Sequence, residues 1–166
     1  TEQILHPEKY LNREEAMDCD LEEMMSVVNK QYQVTMNNVM GELLLIVLFE
    51  QHRIPGAHRI SEGWGGDRYV VLEDKNGKLS LIWLSGWDTE SDAVEFFEGY
   101  RKILEKKRPQ ITWKEGARSF RGSHEGRNWT MEREGKKVAI LENVPDEMEG
   151  PLLQKIEKIS FEKRKE

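Results

Sequence analysis

The chain contains 166 residues with a mass of 19.5 kDa, and 25 basic against 31 acidic side chains give it a formal net charge of −6. This length fits one domain that folds without a metal or a disulfide, and the single cysteine excludes an internal disulfide framework or a cysteine-rich zinc module. The acidic balance argues against nucleic acid as the partner because phosphate binding requires a basic surface.

The first 19 residues predict an extended arm that packs on the domain through a few apolar side chains: Ile4, Leu5, Tyr10 and Leu11. The chain begins at Thr1 rather than at a methionine. We interpret this start as a sign that the chain is a piece of a longer precursor, with a trimmed beginning as the open alternative.

Three further elements are expected before the middle of the chain. From Asp20, apolar residues at helical spacing predict a helix whose buried face carries Leu21, Met24, Met25 and Val28. Alternation over 32–36 predicts a short strand. The apolar run 43–49 is far shorter than the roughly 20 residues of a membrane span. We expect it to form a central helix buried on every side, with an interfacial membrane segment as the alternative.

The middle of the chain predicts a β-hairpin. Two β-rich runs, 68–73 and 78–84, flank Asn76 and Gly77. Asn-Gly is the strongest short hairpin signal because both residues tolerate positive φ. Both runs are apolar at successive positions, which indicates a sheet that is covered on both faces.

A long helix follows the hairpin. Thr89 is placed to cap it, and Asp92 stands where a capping box usually has glutamate. An apolar stripe then continues until Pro109 ends the helix.

The last third predicts a second hairpin, formed by 127–133 and 136–141, and a final helix after Pro145 with Pro151 in its first turn. Two hairpins separated by a helix indicate an α+β fold, in which helices pack on a largely antiparallel sheet. We expect an arm over 1–19, a single domain over 20–161 and a charged tail over 162–166.

A glycine-rich stretch before the first predicted strand is the main candidate for a binding loop. Its glycines allow close backbone approach. It is no familiar phosphate loop, because the Lys-Ser/Thr ending is absent and the glycines precede a strand. The structural alternative, an irregular entry into the strand with Trp64 filling the core, carries more weight. The candidate binding residues are Trp64, Gly65, Gly66, Asp67 and Arg68.

Trp87 and Asp88 form a second candidate, because a carboxylate beside an exposed aromatic ring can bind sugars or cations. The same residues equally describe an aromatic contact before the Thr89 cap. If the two candidates share one site, Trp87 and Asp88 lie close to the segment 64–68.

No catalytic or metal-binding constellation is expected, and no cofactor. The histidines lack the HExxH spacing of a zinc protease: His6, His52, His58 and His124. No serine lies in a GxSxG elbow. Cys19 stands between Asp18 and Asp20, whose charges raise the pKa of a thiol and disfavour the reactive thiolate.

Four stretches carry a family resemblance: TEQILHPEKY at 1–10, Gly41-Glu42, GWGGDRY at 63–69 and WDTESDA at 87–93. Together they resemble a family of exported bacterial and archaeal proteins that includes haloarchaeal surface proteins. In that family, similar segments lie C-terminal to a peptidase-like region. The resemblance implies an extracytoplasmic location, whether periplasmic, surface or secreted, and it transfers no catalytic residue.

The leading hypothesis is a non-catalytic interaction or assembly domain of an exported protein, with a protein as its partner and no transmembrane segment. A hydrolase, or a fragment of one, is the first alternative, with catalytic groups drawn from Asp67, Arg68, Asp88 and His58. A subunit of a larger extracytoplasmic complex is the second. That reading predicts an exposed apolar patch of several hundred Å² or more.

Overall fold

The computed structural model describes residues 5–12, 16–28 and 31–163. Its helices are α1 (Pro7–Leu11), α2 (Glu22–Met25), α3 (Gly41–Gln51), α4 (Ala57–Ser61), α5 (Glu90–Lys107) and α6 (Asp146–Ile156). Its strands are β1 (Met17–Asp18), β2 (Tyr32–Asn38), β3 (Trp64–Asp74), β4 (Leu79–Trp87), β5 (Trp113–Glu115), β6 (Ser119–His124), β7 (Arg127–Glu134), β8 (Lys137–Pro145) and β9 (Glu162–Lys163).

Seven strands form one antiparallel sheet in the order β2-β3-β4-β8-β7-β6-β5. The two predicted hairpins, β3–β4 and β7–β8, meet through the antiparallel pair β4–β8 at the centre. Gly77 and Gly135 take positive φ in the two hairpin turns. The α+β class with a largely antiparallel sheet is therefore confirmed.

The sheet is covered on both faces, as the apolar strands predict. One buried cluster joins α3, α4 and α5 to one face, and a second joins α2 and α6 to the other. A two-stranded antiparallel ribbon, β1–β9, also lies on the second face, where Met17 and Phe161 contact glycines of β3 and β4. The central strands are thus buried between two layers, which explains their continuous apolar runs.

The α5 helix forms as its sequence predicts. The Asp92 N–H donates to Thr89 Oγ1 at 3.2 Å, and the Thr89 N–H donates to Asp92 Oδ2 at 2.9 Å, completing the capping box. The apolar stripe of α5 is buried against the sheet: Ala93, Phe96, Phe97, Tyr100, Ile103 and Leu104.

Several expectations require correction. The helix expected over 20–28 extends only over Glu22–Met25. The glycine-rich stretch belongs to β3, which begins at Trp64, and is therefore not a loop. The apolar run forms α3, but one side of that helix stays exposed because nothing in the described chain covers it. Pro151 lies inside α6, and the preceding Gly150 has no Cβ to oppose the helical backbone before a proline.

The terminal segments only partly match the expected arm and tail. Leu5 packs on the first core cluster, but Leu11 is 77% exposed. Ile4 and the side chain of Tyr10 lie outside the described residues. Glu162 and Lys163 pair with β1, and the remainder of the tail lies outside the described residues.

Gly66 explains how the β1–β9 ribbon approaches the sheet. A Cβ at Gly66 would overlap the backbone carbonyl of Met17, whereas a Cβ at Gly65 would meet the terminal methyl of the same residue at 2.5 Å. Opposite Gly66, a Cβ at Gly86 would meet the ring of Phe161 at 3.0 Å. Close packing of the ribbon therefore requires glycine at this point.

We expect Gly66→Ala to destabilise the protein by about 1–3 kcal/mol through overpacking, and to expose the ribbon to solvent. Gly65→Ala is the matched control and should cost less, because a methionine methyl moves more easily than backbone. Chemical denaturation gives the stability, and amide exchange of 17–18 and 162–163 reports ribbon docking. Equal effects of the two substitutions would contradict this explanation.

Candidate functional site

The Asp67 carboxylate is the centre of the predicted site, and it is 1% exposed. Each of its oxygens accepts one backbone N–H and one indole N–H. Oδ1 accepts from Gly41 N and Trp64 Nε1, and Oδ2 accepts from Met40 N and Trp83 Nε1, all at 2.9 Å. We call this arrangement the Asp67 junction.

The Asp67 junction caps the first turn of α3. Helix N-termini leave backbone N–H groups without partners, and a negative charge there is favourable. Met40, at the N-cap position, supplies no side-chain cap, so Asp67 reaches from β3 to serve that purpose. Burial raises the pKa of Asp67, and the four donors oppose this by stabilising the anion.

The two candidate segments are brought together, since Trp64 lies directly opposite Trp87 in the β3–β4 pair. Both indole side chains are buried, and Trp87 Nε1 donates to Ser85 Oγ at 3.0 Å. Gly65 and Gly66 are buried as well. The shared location predicted for these residues is therefore observed, within the protein interior.

Arg68 and Asp88 lie nearer the surface. Arg68 is half-buried and forms an ion pair with Asp18 of β1, so it fastens the ribbon to β3. The exposed Asp88 closes the turn between β4 and α5: its N–H donates to Gly63 O at 2.8 Å, and its carbonyl accepts from Lys136 Nζ at 2.5 Å. Both residues make structural contacts.

Two of the residues proposed for the hydrolase alternative, Asp67 and His58, occupy different environments. The carboxylate of Asp67 faces four donors in the core, whereas His58 is 79% exposed and its Nε2 lies 3.9 Å from Glu50. These contacts favour a structural role for the GWGGDR segment.

A buried ionic cluster at the C-terminal half of α5 was not predicted from the sequence. Glu142 of β8 is 6% exposed. It accepts from Tyr100 Oη at 2.5 Å and from Lys107 Nζ at 2.9 Å. The only sequence signal is a charged residue that continues an apolar strand. The cluster fixes α5 to the sheet.

A second missed pair connects the arm to α3. His6 Nε2 lies 3.0 Å from Glu42 Oε1, and Glu42 is 4% exposed. Glu42 Oε2 has no hydrogen-bond partner in the part of the chain that the structure describes. The pair places α1 beside the first turn of α3.

The second face of the sheet carries a groove of about 310 Å³ between α6 and the outer strands. Its floor includes Leu84 and Ala139, and its α6 wall includes Leu153 and Ile156. Both signs of charge lie on the rim, where Arg121 pairs with Glu132. The balanced rim selects no class of ligand by charge.

Metal sites, membrane spans and a reactive cysteine have little support over residues 5–12, 16–28 and 31–163, the described part of the chain. No group of three His, Cys, Asp or Glu side chains there is placed to hold a metal. No helix in these ranges is long and apolar enough to span a membrane. Burial, followed by the charge of Asp18, raises the pKa of Cys19 to about 12. The neutral thiol agrees with the sequence expectation.

Comparison with family models gives a match over residues 30–154 to a domain of unknown function, DUF8575. The chain belongs to the DUF8575 family. The matched region begins just before β2 and ends within α6, so it contains the Asp67 junction but not the β1–β9 ribbon. No curated protein and no solved structure matches the chain.

We expect Asp67→Asn to destabilise this DUF8575 domain by about 3 kcal/mol or more. The amide group has one acceptor oxygen and cannot accept the two donors that face its nitrogen, and each unsatisfied buried donor costs about 1–3 kcal/mol. Asp88→Asn, at an exposed carboxylate nearby, should cost less than about 1 kcal/mol. If urea unfolding showed that both variants lose the same free energy of unfolding, the Asp67 junction would not be a main determinant of stability.

Tyr100 gives a pH-dependent test of the ionic cluster. Burial, and then the charge of Glu142, raises the pKa of Tyr100 well above 10.0. Above pH 10.0, the ordinary pKa of tyrosine, the unfolded chain loses the phenol proton and the folded chain keeps it. The free energy of unfolding therefore falls as the pH rises. Tyr100→Phe should make this alkaline decline shallower in denaturant titrations at several pH values. An unchanged slope would contradict the burial of this phenol.

Proposed function

We propose that this DUF8575 domain is a non-catalytic protein-interaction or assembly module. The observation that supports it is the exposed apolar side of α3, formed by Leu43, Leu44 and Val47, which are 40%, 48% and 44% exposed. We call these three residues the α3 flank. They lie at i, i+1 and i+4 and therefore share one side of the helix.

The α3 flank differs from scattered surface apolar residues. Single exposed residues such as Leu79 and Val94 are ordinary features of folded proteins. A contiguous apolar stripe on one helix is typical of a docking surface for another polypeptide. The helix is also anchored rigidly, because the Asp67 junction fixes its first turn. A rigid apolar surface loses little entropy on binding.

The α3 flank also supports the alternative that the chain is a subunit of a larger complex, because such a subunit needs an exposed apolar surface. An exported location, which the resemblance carried by the four stretches named above implies, is part of this proposal. The hydrolase alternative needs convergent catalytic groups, and the contacts of Asp67, Arg68, Asp88 and His58 give it no comparable support.

Site-specific photocrosslinking in the native host tests the proposal. Benzoylphenylalanine at Leu44, which is 48% exposed, should form a discrete crosslink to a polypeptide that mass spectrometry can identify. The matched control is the same group at Leu79, 53% exposed on β4. Absence of a discrete crosslink at Leu44, or identical products at both positions, would contradict an interaction role for the α3 flank.

A further inference from the structure

We infer that β2 pairs antiparallel with β2 of a second copy of this chain, and that the same contact brings the two α3 flanks together. This inference rests on the proposed interaction role and names the partner.

The β2 strand is a weakly protected sheet edge. Its outer side pairs with no strand in the described parts of the chain, and its seven residues include no charge and no proline. The opposite edge, β5, has three residues and carries Lys114 and Glu115. Short length, charge, proline and β-bulges are the usual guards against edge pairing. Of these guards β2 has only a bulge, at Thr35, whose hydroxyl donates to Val71 O at 3.2 Å.

Apolar side chains are exposed on both faces of this edge. Val34 is 42% exposed and lies opposite Leu72, whose side chain belongs to the second core cluster. Met36 is 48% exposed, and its sulfur accepts from Tyr69 on the first face. An added strand would therefore cover an apolar side chain on each face as well as the free backbone groups of β2.

A two-fold axis perpendicular to the sheet satisfies both features at once. Such an axis makes the paired edges antiparallel and leaves both α3 helices on the same face, in a continuous sheet of fourteen strands. The two β3 strands would lie about 14 Å apart, three strand spacings. Packed helices need about 8–10 Å. The α3 helix packs on β3, α4 and α5, and the described chain leaves its flank exposed.

Charge favours a second copy over a different partner. Opposed like charges destabilise paired strands, and β2 contains no charged residue. The β2 edge can therefore face itself without repulsion, and it offers no charge for a complementary partner to recognise. Because one pair of edge strands and two short helix flanks would form a small interface, we expect a dimer with micromolar affinity.

Sedimentation equilibrium of the purified chain, from about 1 μM to about 1 mM, tests the dimer. Val34→Lys should raise the dissociation constant at least about tenfold, because the lysine enters a two-fold interface twice. Val94→Lys is the control at the same residue type, 39% exposed on α5, and should leave the constant unchanged within about twofold. Circular dichroism and urea midpoints verify that both variants are folded.

Amide exchange identifies the contact. In the unmodified chain, exchange of residues 31–38 should slow as protein concentration rises, and in Val34→Lys it should not. A monomer at the highest concentration, or a dimer with concentration-independent exchange in 31–38, would overturn the inference. If that monomer still crosslinks a different polypeptide through position 44 in cells, the interaction role is supported and the inference of a dimer is rejected. If neither association is found, both proposals fall.

Discussion

The Asp67 junction is the interaction on which the positions of the first helix layer depend. One buried carboxylate accepts four N–H groups, two from the start of α3 and two from the indoles of Trp64 and Trp83. Removing a carboxylate from water is unfavourable unless hydrogen bonds replace the lost hydration. The four donors meet this requirement, and in doing so they join β3, β4 and α3 at one point.

This constraint also accounts for the density of glycine and tryptophan in the same stretch. Trp64 and Trp87 fill the core on the α3 side, and Gly66 and Gly86 let the β1–β9 ribbon lie close on the other side. Arg68 then holds the ribbon by its ion pair with Asp18. The residues that most resemble a binding motif are thus those that allow three layers to meet, and the proposed interaction surface lies on α3 and β2.

Elements with local signals could be predicted from the sequence. The capping box of α5, the Asn-Gly turn and the apolar runs of β3 and β4 depend on neighbours within a few residues, so pattern and structure agree. The acceptor role of Asp67 could not be predicted in this way. Its backbone donors lie 26 and 27 residues earlier in the chain, and only the folded sheet brings them together.

The exposed side of α3 was unpredictable for a related reason. An apolar run carries no information about how many sides of its helix are covered, and α3 lies near the edge of the sheet rather than over its centre. Pro151 shows the same limit: its position within α6 depends on where that helix begins, which is set by the end of β8 at Pro145.

Native-state exchange of the tryptophan indole protons, followed by NMR, is the most direct measurement of the Asp67 junction. If the carboxylate holds both indoles in the core, the Nε1 protons of Trp64 and Trp83 exchange only with global unfolding, at the same free energy as the central strands. Rapid exchange of either proton while the strands stay protected would show that the junction opens by itself. That result would contradict its role as the point that holds the layers together.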